Sequence, residues 1–321
     1  MNRRQALAFL SVVPVVPYVN AQGAWPDKPV RIVVPFAAGG GTDALARLLA
    51  LRLGEELGQQ FVVENRAGAG GTIGAEYVAR SVPDGYTALF VSASYAASSN
   101  PALYKTPYDP VKGIQPIGLV ATLPLIVVMH PSVKANNVKE LIELARAQPG
   151  QLSYGSAGNG GTLHLSAELF RQMTKTDIVH VPYKGTGQAV VDLLSGRIQL
   201  MWSDFGPVLQ HVRSGKLRAL AVTTAKRNPV LPEVQTIAET VPGYVIDSWF
   251  GLWAPAGTPR DIVLRFNQAL EKIMKRPDMQ ERVRADGNEP ATTTPEEFGR
   301  IIERDIVLWT KVARDGNVKI D

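Results

Sequence analysis

Val33-Val34-Pro35-Phe36-Ala37-Ala38-Gly39-Gly40-Gly41-Thr42-Asp43 joins a β-branched run to a helical pattern through a proline and three consecutive glycines. Upstream, V-R-I-V-V-P-F from Val30 is almost continuously apolar, the pattern of a parallel strand covered on both faces. Downstream, Leu45, Leu48, Leu49 and Leu53 keep helical spacing, with Thr42 as the expected N-cap. A helix N-terminus carries about half a positive charge and unpaired N–H groups, so a glycine turn leading into one suits an anion.

The pattern continues on both sides of this joint. F-V-V-E-N at 61–65 predicts a second strand, followed by the glycine-rich R-A-G-A-G-G-T-I-G and a helix, and T-A-L-F-V-S at 87–92 a third strand. Strands alternating with helices predict an α/β fold with a doubly wound parallel sheet. The cadence restarts near residue 124 with the strand L-I-V-V-M, the helix V-K-E-L-I-E-L-A-R-A and the short strand L-S-Y-G-S. G-S-A-G-N-G-G-T then leads into a helix headed by Thr162, in which Leu165, Leu169 and Met173 recur every four residues. The device of strand, glycine turn and Thr-headed helix therefore occurs once per half. Two βα domains facing each other across a cleft would bring both turns to one ligand, because such sheets bind at the carboxyl ends of their strands. The expected division is 24–122 plus 245–321 for a discontinuous first domain and 123–244 for the second. D-I-V-L-R-F-N-Q-A-L-E-K-I-M and P-E-E-F-G-R-I-I-E-R-D-I-V-L-W-T-K-V are amphipathic helices without matching strands, expected to pack back on the first domain.

Composition narrows the function. Residues 1–21 read as a cleaved signal peptide: Arg3-Arg4, an apolar stretch too short to span a bilayer and interrupted by Pro14 and Pro17, then Val19-Asn20-Ala21 before the cut. The arginine pair also fits twin-arginine export. Of 34 basic and 29 acidic residues, removal of Arg3 and Arg4 leaves a mature charge of +3, too small and too dispersed for nucleic acid. With no cysteine, an exported chain has no disulfide framework, thiol nucleophile or Cys metal site. The longest apolar run, L-V-A-T-L-P-L-I-V-V-M at 119–129, is broken by Pro124 and reads as buried strand. The mature protein is expected to be soluble outside the cytoplasm.

The glycine turns lack the marks of phosphate binding and of catalysis. The P-loop lysine is absent after Gly39-Gly40-Gly41, and G-x-G-x-x-G fails at Ile73 and at Leu163. Asp43 would repel a multiply charged phosphate, which leaves a singly charged group such as a carboxylate. Tyr154-Gly155-Ser156-Ala157-Gly158 lacks the first glycine of a nucleophile elbow, so an exported hydrolase using Ser156 with a histidine is the weaker alternative. None of His130, His164, His180 and His211 falls in a zinc-binding spacing, and no metal or other cofactor is expected.

The ordered set V-P-F-A-A-G-G-G-T-D, D-G-Y-T, N-P-A-L-Y, D-P-V-K, L-S-Y-G-S-A-G-N-G, H-V-P-Y-K-G, G-K-L-R-A-L-A-V-T and S-W-F-G-L-W-A-P-A-G-T-P resembles the Bug family, the extracytoplasmic solute receptors of tripartite tricarboxylate transporters. The resemblance runs from about Trp25 to the C-terminus, and the ordered set is far more specific than any one motif. It implies a type II periplasmic-binding-protein fold, two βα domains flanking a ligand cleft, that closes on a small di-, tri- or aromatic carboxylate. It further implies a monomeric, non-enzymatic periplasmic receptor that delivers its ligand to a permease of two subunits, large and small. A sensing receptor for a membrane kinase is the alternative.

Carried onto this chain, the resemblance implies a first jaw of Phe36, Ala37, Ala38, Gly39 and Asp43, with Asp43 holding a water or capping backbone N–H groups. The second jaw is Ser156, Ala157, Gly158, Asn159, Gly160 and Thr162, with His164 nearby. Candidates around the other end of the ligand are Ser92 and Ser94 after a strand end, Lys184 in Tyr183-Lys184-Gly185, and Trp249 beside Phe250 as a wall. Many family members read M-F-D where this chain has Met201-Trp202-Ser203-Asp204. Ser203 and Asp204 point in opposite directions if that strand alternates, so a carboxylate grip on a ligand amino group is in question and a non-amino carboxylate is favoured.

Overall fold

The computed structural model describes residues 25–319 other than 37, 40, 69–70, 94–102 and 104. The expected signal peptide, Ala37 and Ser94 lie outside the described residues. The β-branched run forms β1 (Val30–Val34), buried except at Arg31, and the glycine turn leads into α1 (Gly41–Leu57). There follow β2 (Phe61–Asn65), α2 (Thr72–Ala79) and β3 (Thr87–Ser92). β1 pairs in parallel with both β2 and β3, as the helical crossovers require.

The second half opens with β4 (Ile114–Met129), then α3 (Val138–Ala147), β5 (Ser153–Ser156), α4 (Thr162–Thr174) and β6 (Val179–Pro182). It continues through α5 (Thr186–Leu194), β7 (Leu200–Asp204), α6 (Phe205–Arg213) and β8 (Arg218–Val222). β9 (Asp247–Pro255), α7 (Arg260–Met274), α8 (Pro277–Ala285), β10 (Glu289–Pro290) and α9 (Pro295–Asp315) complete the chain. β5 is parallel to β6 and β7.

The sheet order is β2-β1-β3-β9-β4-β7-β5-β6, with β8 and β10 also paired to β4. The sheet is thus mixed rather than wholly parallel: β9 is antiparallel to β3 and β4, and β4 is antiparallel to β7 and β8. A continuous apolar run carries no sign of strand direction, so the sequence pattern shows burial without showing these antiparallel pairings. Pro124 does not interrupt β4. It sits where the strand changes partners: Pro124 is opposite Asp247 of β9, and Leu125 is opposite Asp204 of β7. A residue without an N–H is tolerated where one ladder ends and another begins.

The C-terminal helices divide their contacts. Asn267 of α7 donates to the carbonyls of Ile117 at 2.8 Å and Thr293 at 2.7 Å, fixing α7 beside the first part of β4. α9 reaches further than the expected packing on the first domain: it lies on β4 and also meets α4, where Gln172 donates to the Val312 carbonyl at 2.9 Å. Its start carries a capping box between Thr294 and Glu297. The core contains Trp202, Trp249, Trp253, Phe298 and Trp309 in one buried cluster that joins the two halves.

Gly251, in the central strand β9, is where backbone and ring come closest. A Cβ there would fall on the fully buried ring of Phe298. Gly251→Ala is therefore expected to destabilise the protein by roughly 1–3 kcal/mol through overpacking. Urea unfolding should show a lower midpoint with an unchanged slope.

Candidate functional site

The two glycine turns stand at the carboxyl ends of β1 and β5 and face one cavity. The first turn is organised from beneath by Asp43, which is buried in the first turn of α1. Its Oδ2 accepts from the Gly39 N–H at 2.9 Å and from Arg47 Nε at 3.0 Å, and its Oδ1 accepts from Asn65 Nδ2 at 2.9 Å. Asn65 also donates to the Phe36 carbonyl at 3.1 Å and accepts from Arg47 at 3.0 Å. The side chain thus ties the turn to the end of β2. The hydrogen bond from Arg47, then that from Gly39, hold the Asp43 carboxyl at a pKa of about 2 against the opposing effect of burial.

The second turn uses the same spacing with a neutral acceptor. The Gly160 N–H donates to His164 Nδ1 at 3.0 Å, as the Gly39 N–H donates to Asp43, four residues on in each case. Ser156 is fully buried; its hydroxyl donates to the Gly158 carbonyl at 2.9 Å and lies 2.7 Å from His180 Nε2. With the hydroxyl proton on Gly158, His180 must be the donor in that contact. The rings of His164 and His180 stack at 3.6 Å with 11° between their planes, and Tyr154 packs 5.0 Å from His180. Burial, assisted by Arg171, lowers the His164 pKa to about 4; burial and then His164 lower that of His180 to about 3. Both rings are neutral near pH 7. Ser156 and His180 form the pair a hydrolase would need, but the serine is buried and its proton is held by a backbone carbonyl, so the pair braces the turn.

Between the turns lies a cavity of about 430 Å³. Of the expected residues, Phe36, Ser92, Ala157, Gly158, Asn159, Gly160, Thr162, His164 and Asp204 line it. Ala38 and Gly39 are on the exposed outer side of the first turn, while Asp43 and Ser156 lie beneath their turns. Lys184 is exposed and outside the wall. Ser203 is buried and donates to the Asp204 carbonyl at 2.8 Å. Trp249 faces away from the cavity: its Nε1 donates to buried Asp305 at 2.8 Å and its ring meets Phe298 edge-on at 5.1 Å.

Leu123, Leu125, Thr186 and Ser248 also line the cavity without a distinguishing sequence signal, and Thr42, expected as an N-cap, lies inside α1, which begins at Gly41, and lines it too. Ser248 and Phe250 share the face of β9 opposite to Trp249, a consequence of strand alternation. The available signal was therefore parity along β9, which becomes usable once the face of one residue is known.

Among the described lining residues there is no Lys or Arg. Donors come instead from the start of α4, whose N-cap Gly161 offers no side-chain cap, leaving first-turn N–H groups for another acceptor. Thr162 Oγ1 is buried without a hydrogen-bond partner among the described residues. An uncapped helix start beside an unsatisfied hydroxyl suits a singly charged oxygen anion.

Known proteins share this sequence pattern and fold. Residues 45–318 match the model of the tripartite tricarboxylate transporter family receptor. The chain is 36% identical to Protein BugT of Bordetella pertussis, over 100% of both chains. It is also similar to the solved structures of R. palustris Rpa4515 with adipate and of the periplasmic binding protein BugD. For Rpa4515 the identity is 40% and the TM-score 0.80, covering 92% of this chain and 100% of that one. For BugD the identity is 37% and the TM-score 0.77, with the same coverage.

Two substitutions separate bracing from lining. Asp43→Asn is expected to cost about 1–2 kcal/mol at neutral pH, allowing for the half-exposed Arg47. Because the folded pKa is depressed, that advantage is complete above the unfolded value of 3.8 and disappears as pH falls through about 2, which urea unfolding along a pH series will show. Trp249→Phe removes a donor to Asp305 and should cost roughly 1–3 kcal/mol of stability. Ligand affinity, measured by calorimetry, should be unchanged by Trp249→Phe because the ring does not reach the cavity.

Proposed function

The chain belongs to the tripartite tricarboxylate transporter receptor family, whose members are solute-binding receptors and not enzymes, and we propose that it captures a small organic carboxylate in the periplasm for delivery to a two-subunit permease. The observation that carries this reading is the cavity between two opposed glycine turns, furnished with the uncapped start of α4 and the unsatisfied Thr162 hydroxyl but with no lysine or arginine among the described lining residues. Backbone N–H groups and hydroxyls select an oxygen anion by geometry. A fixed buried cation would add the Coulomb attraction of an ion pair and hold it more tightly. A receptor must also release its cargo, and the softer donor set favours that.

Adipate in the related Rpa4515 supports a carboxylate of this size class. Export through the leader at 1–21 and action as a monomer complete the proposal. Phe36, Leu123 and Phe250 in the wall give the remainder of the ligand an apolar bed, which accommodates an aliphatic or aromatic body equally.

The test is thermal unfolding of the purified mature protein with acetate, adipate, citrate and benzoate. A ligand at about a hundred times its dissociation constant adds about 2.7 kcal/mol and raises the melting temperature by several degrees. No shift with any carboxylate in a broad panel overturns the reading. Thr162→Val provides a second check, because it removes an unsatisfied hydroxyl while keeping the side-chain shape. Stability without ligand is expected to stay the same or rise, whereas carboxylate affinity is expected to fall about five- to tenfold, as loss of one hydrogen bond implies. Loss of labelled carboxylate uptake when the receptor gene is deleted, restored by the gene in trans, tests the delivery step.

A further inference from the structure

The glycine-rich turn after β2, residues 66–74, contributes no described residue to the cavity wall. It stands beside the end of β1 and carries the ladder one residue past β2: the Arg66 N–H donates to the Val34 carbonyl at 2.8 Å. Its last residues begin α2, where Gly74 is buried in the first turn. Glycine is the poorest helix former apart from proline, and this one has no left-handed backbone to account for it. What it provides is a close approach. A Cβ at Gly74 would stand 2.8 Å from Cβ and 3.1 Å from Cα of Pro35, and 3.0 Å from the Arg66 carbonyl oxygen. Two of these atoms are backbone and the third belongs to a closed ring, so no rotamer change makes room.

The contact bears on the cleft through the residue that follows Pro35. Phe36 lines the cavity, and it is held at two further points. Its carbonyl accepts from Asn65 Nδ2 at 3.1 Å, and the tip of its ring, Cζ, would lie 3.8 Å from a Cβ at Gly71, the N-cap of α2. The φ of Pro35 is fixed by its own ring, so the link between the seat and Phe36 is stiff. The end of β1 therefore rests on the start of α2 through residues that do not face the ligand, while the aromatic ring they support does.

We propose that the turn at 66–74 is the seat of the first jaw, and that Gly74 is a positioning residue which, through Pro35, sets where the Phe36 ring stands in the cavity and so which carboxylate bodies fit against it. The inference rests on the carboxylate-receptor reading and adds a determinant of selectivity outside the cavity. Protein interiors are packed densely enough to pass a displacement on instead of absorbing it. A methyl group added beneath Pro35 thus moves Phe36, while the donors of the second jaw, carried by β5 and α4, stay in place. A ligand that is little more than its carboxylate depends on those donors alone. One with a body depends on the Phe36 wall as well.

Affinities of the mature protein for acetate, adipate and benzoate test this, read by calorimetric titration, with acetate measured by displacement of whichever of the other two binds more tightly. In Gly74→Ala the affinity for that larger ligand, taken relative to acetate, is expected to fall about fivefold or more, with acetate itself within about twofold of wild type. Pro35→Ala opens the same contact from the other side without adding an atom. It should lower the ratio in the same direction, and it decides the matter if Gly74→Ala fails to fold. Gly118→Ala is the control for overpacking elsewhere: its Cβ would press on Asn267 Nδ2 at 2.6 Å, and Gly118 is not in the cavity wall, so it should lower stability in urea and leave the ratio unchanged. A ratio unchanged in both Gly74→Ala and Pro35→Ala, or lowered as much by Gly118→Ala, overturns the inference and leaves the carboxylate reading intact. Absence of wild-type binding to acetate, adipate, citrate and benzoate overturns both.

Discussion

The strand β4 passes through both halves of the molecule, and the opposition of the two glycine turns depends on it. Its first part pairs with β9 and its second with β7, so the sheet never ends between the halves; only the partner changes, at Pro124. β1 and β5 each belong to a parallel ladder on one side of this shared element, the antiparallel pairings of β9 and β7 make them run in opposite directions, and each ends in a turn that feeds a helix. Turns at the carboxyl ends of two such strands must face the same gap. α9 reinforces the arrangement by lying on β4 and reaching α4, the helix whose start forms part of the second jaw.

Each jaw is held by a side chain four residues beyond the glycine whose N–H it accepts, and the two acceptors differ in charge. Asp43 is ionised, and its charge is answered by Arg47 and shared with Asn65 beneath the turn. His164 is neutral, kept so by burial against His180. A charged acceptor in the second jaw would weaken the attraction of the α4 start for an anion. A cation there would add an ion pair and hold the anion more tightly. With a neutral imidazole bracing the turn, the uncapped helix start and the Thr162 hydroxyl are left as donors toward the cavity.

The fold was legible because burial and periodicity leave marks in the chain. The apolar run at 30–34, the glycine turns and the helical spacing after Thr42 and Thr162 correspond to β1, both jaws and the helices that follow them. The direction of β4 and β9 was not legible, since a strand buried on both faces looks the same either way. Side-chain parity was equally hidden: Trp249 and Phe250 are both large and aromatic, and nothing local says which faces the cleft. In β9 the face is decided by where α9 puts Asp305 and Phe298, a tertiary fact far away along the chain, 56 residues in the case of Asp305. Asp43 illustrates a third limit. Its position at a helix start was visible, but its reach to Asn65 required the pairing of β1 with β2.

Charge in the described cleft is therefore distributed by one rule. Asp43 has Arg47, Asp286 has Arg282, and the histidines are neutral. Asp204 alone among the described wall residues of the cavity between the turns bears a carboxylate that nothing answers. In a desolvated space an unanswered carboxylate is costly, and burial accordingly raises its pKa.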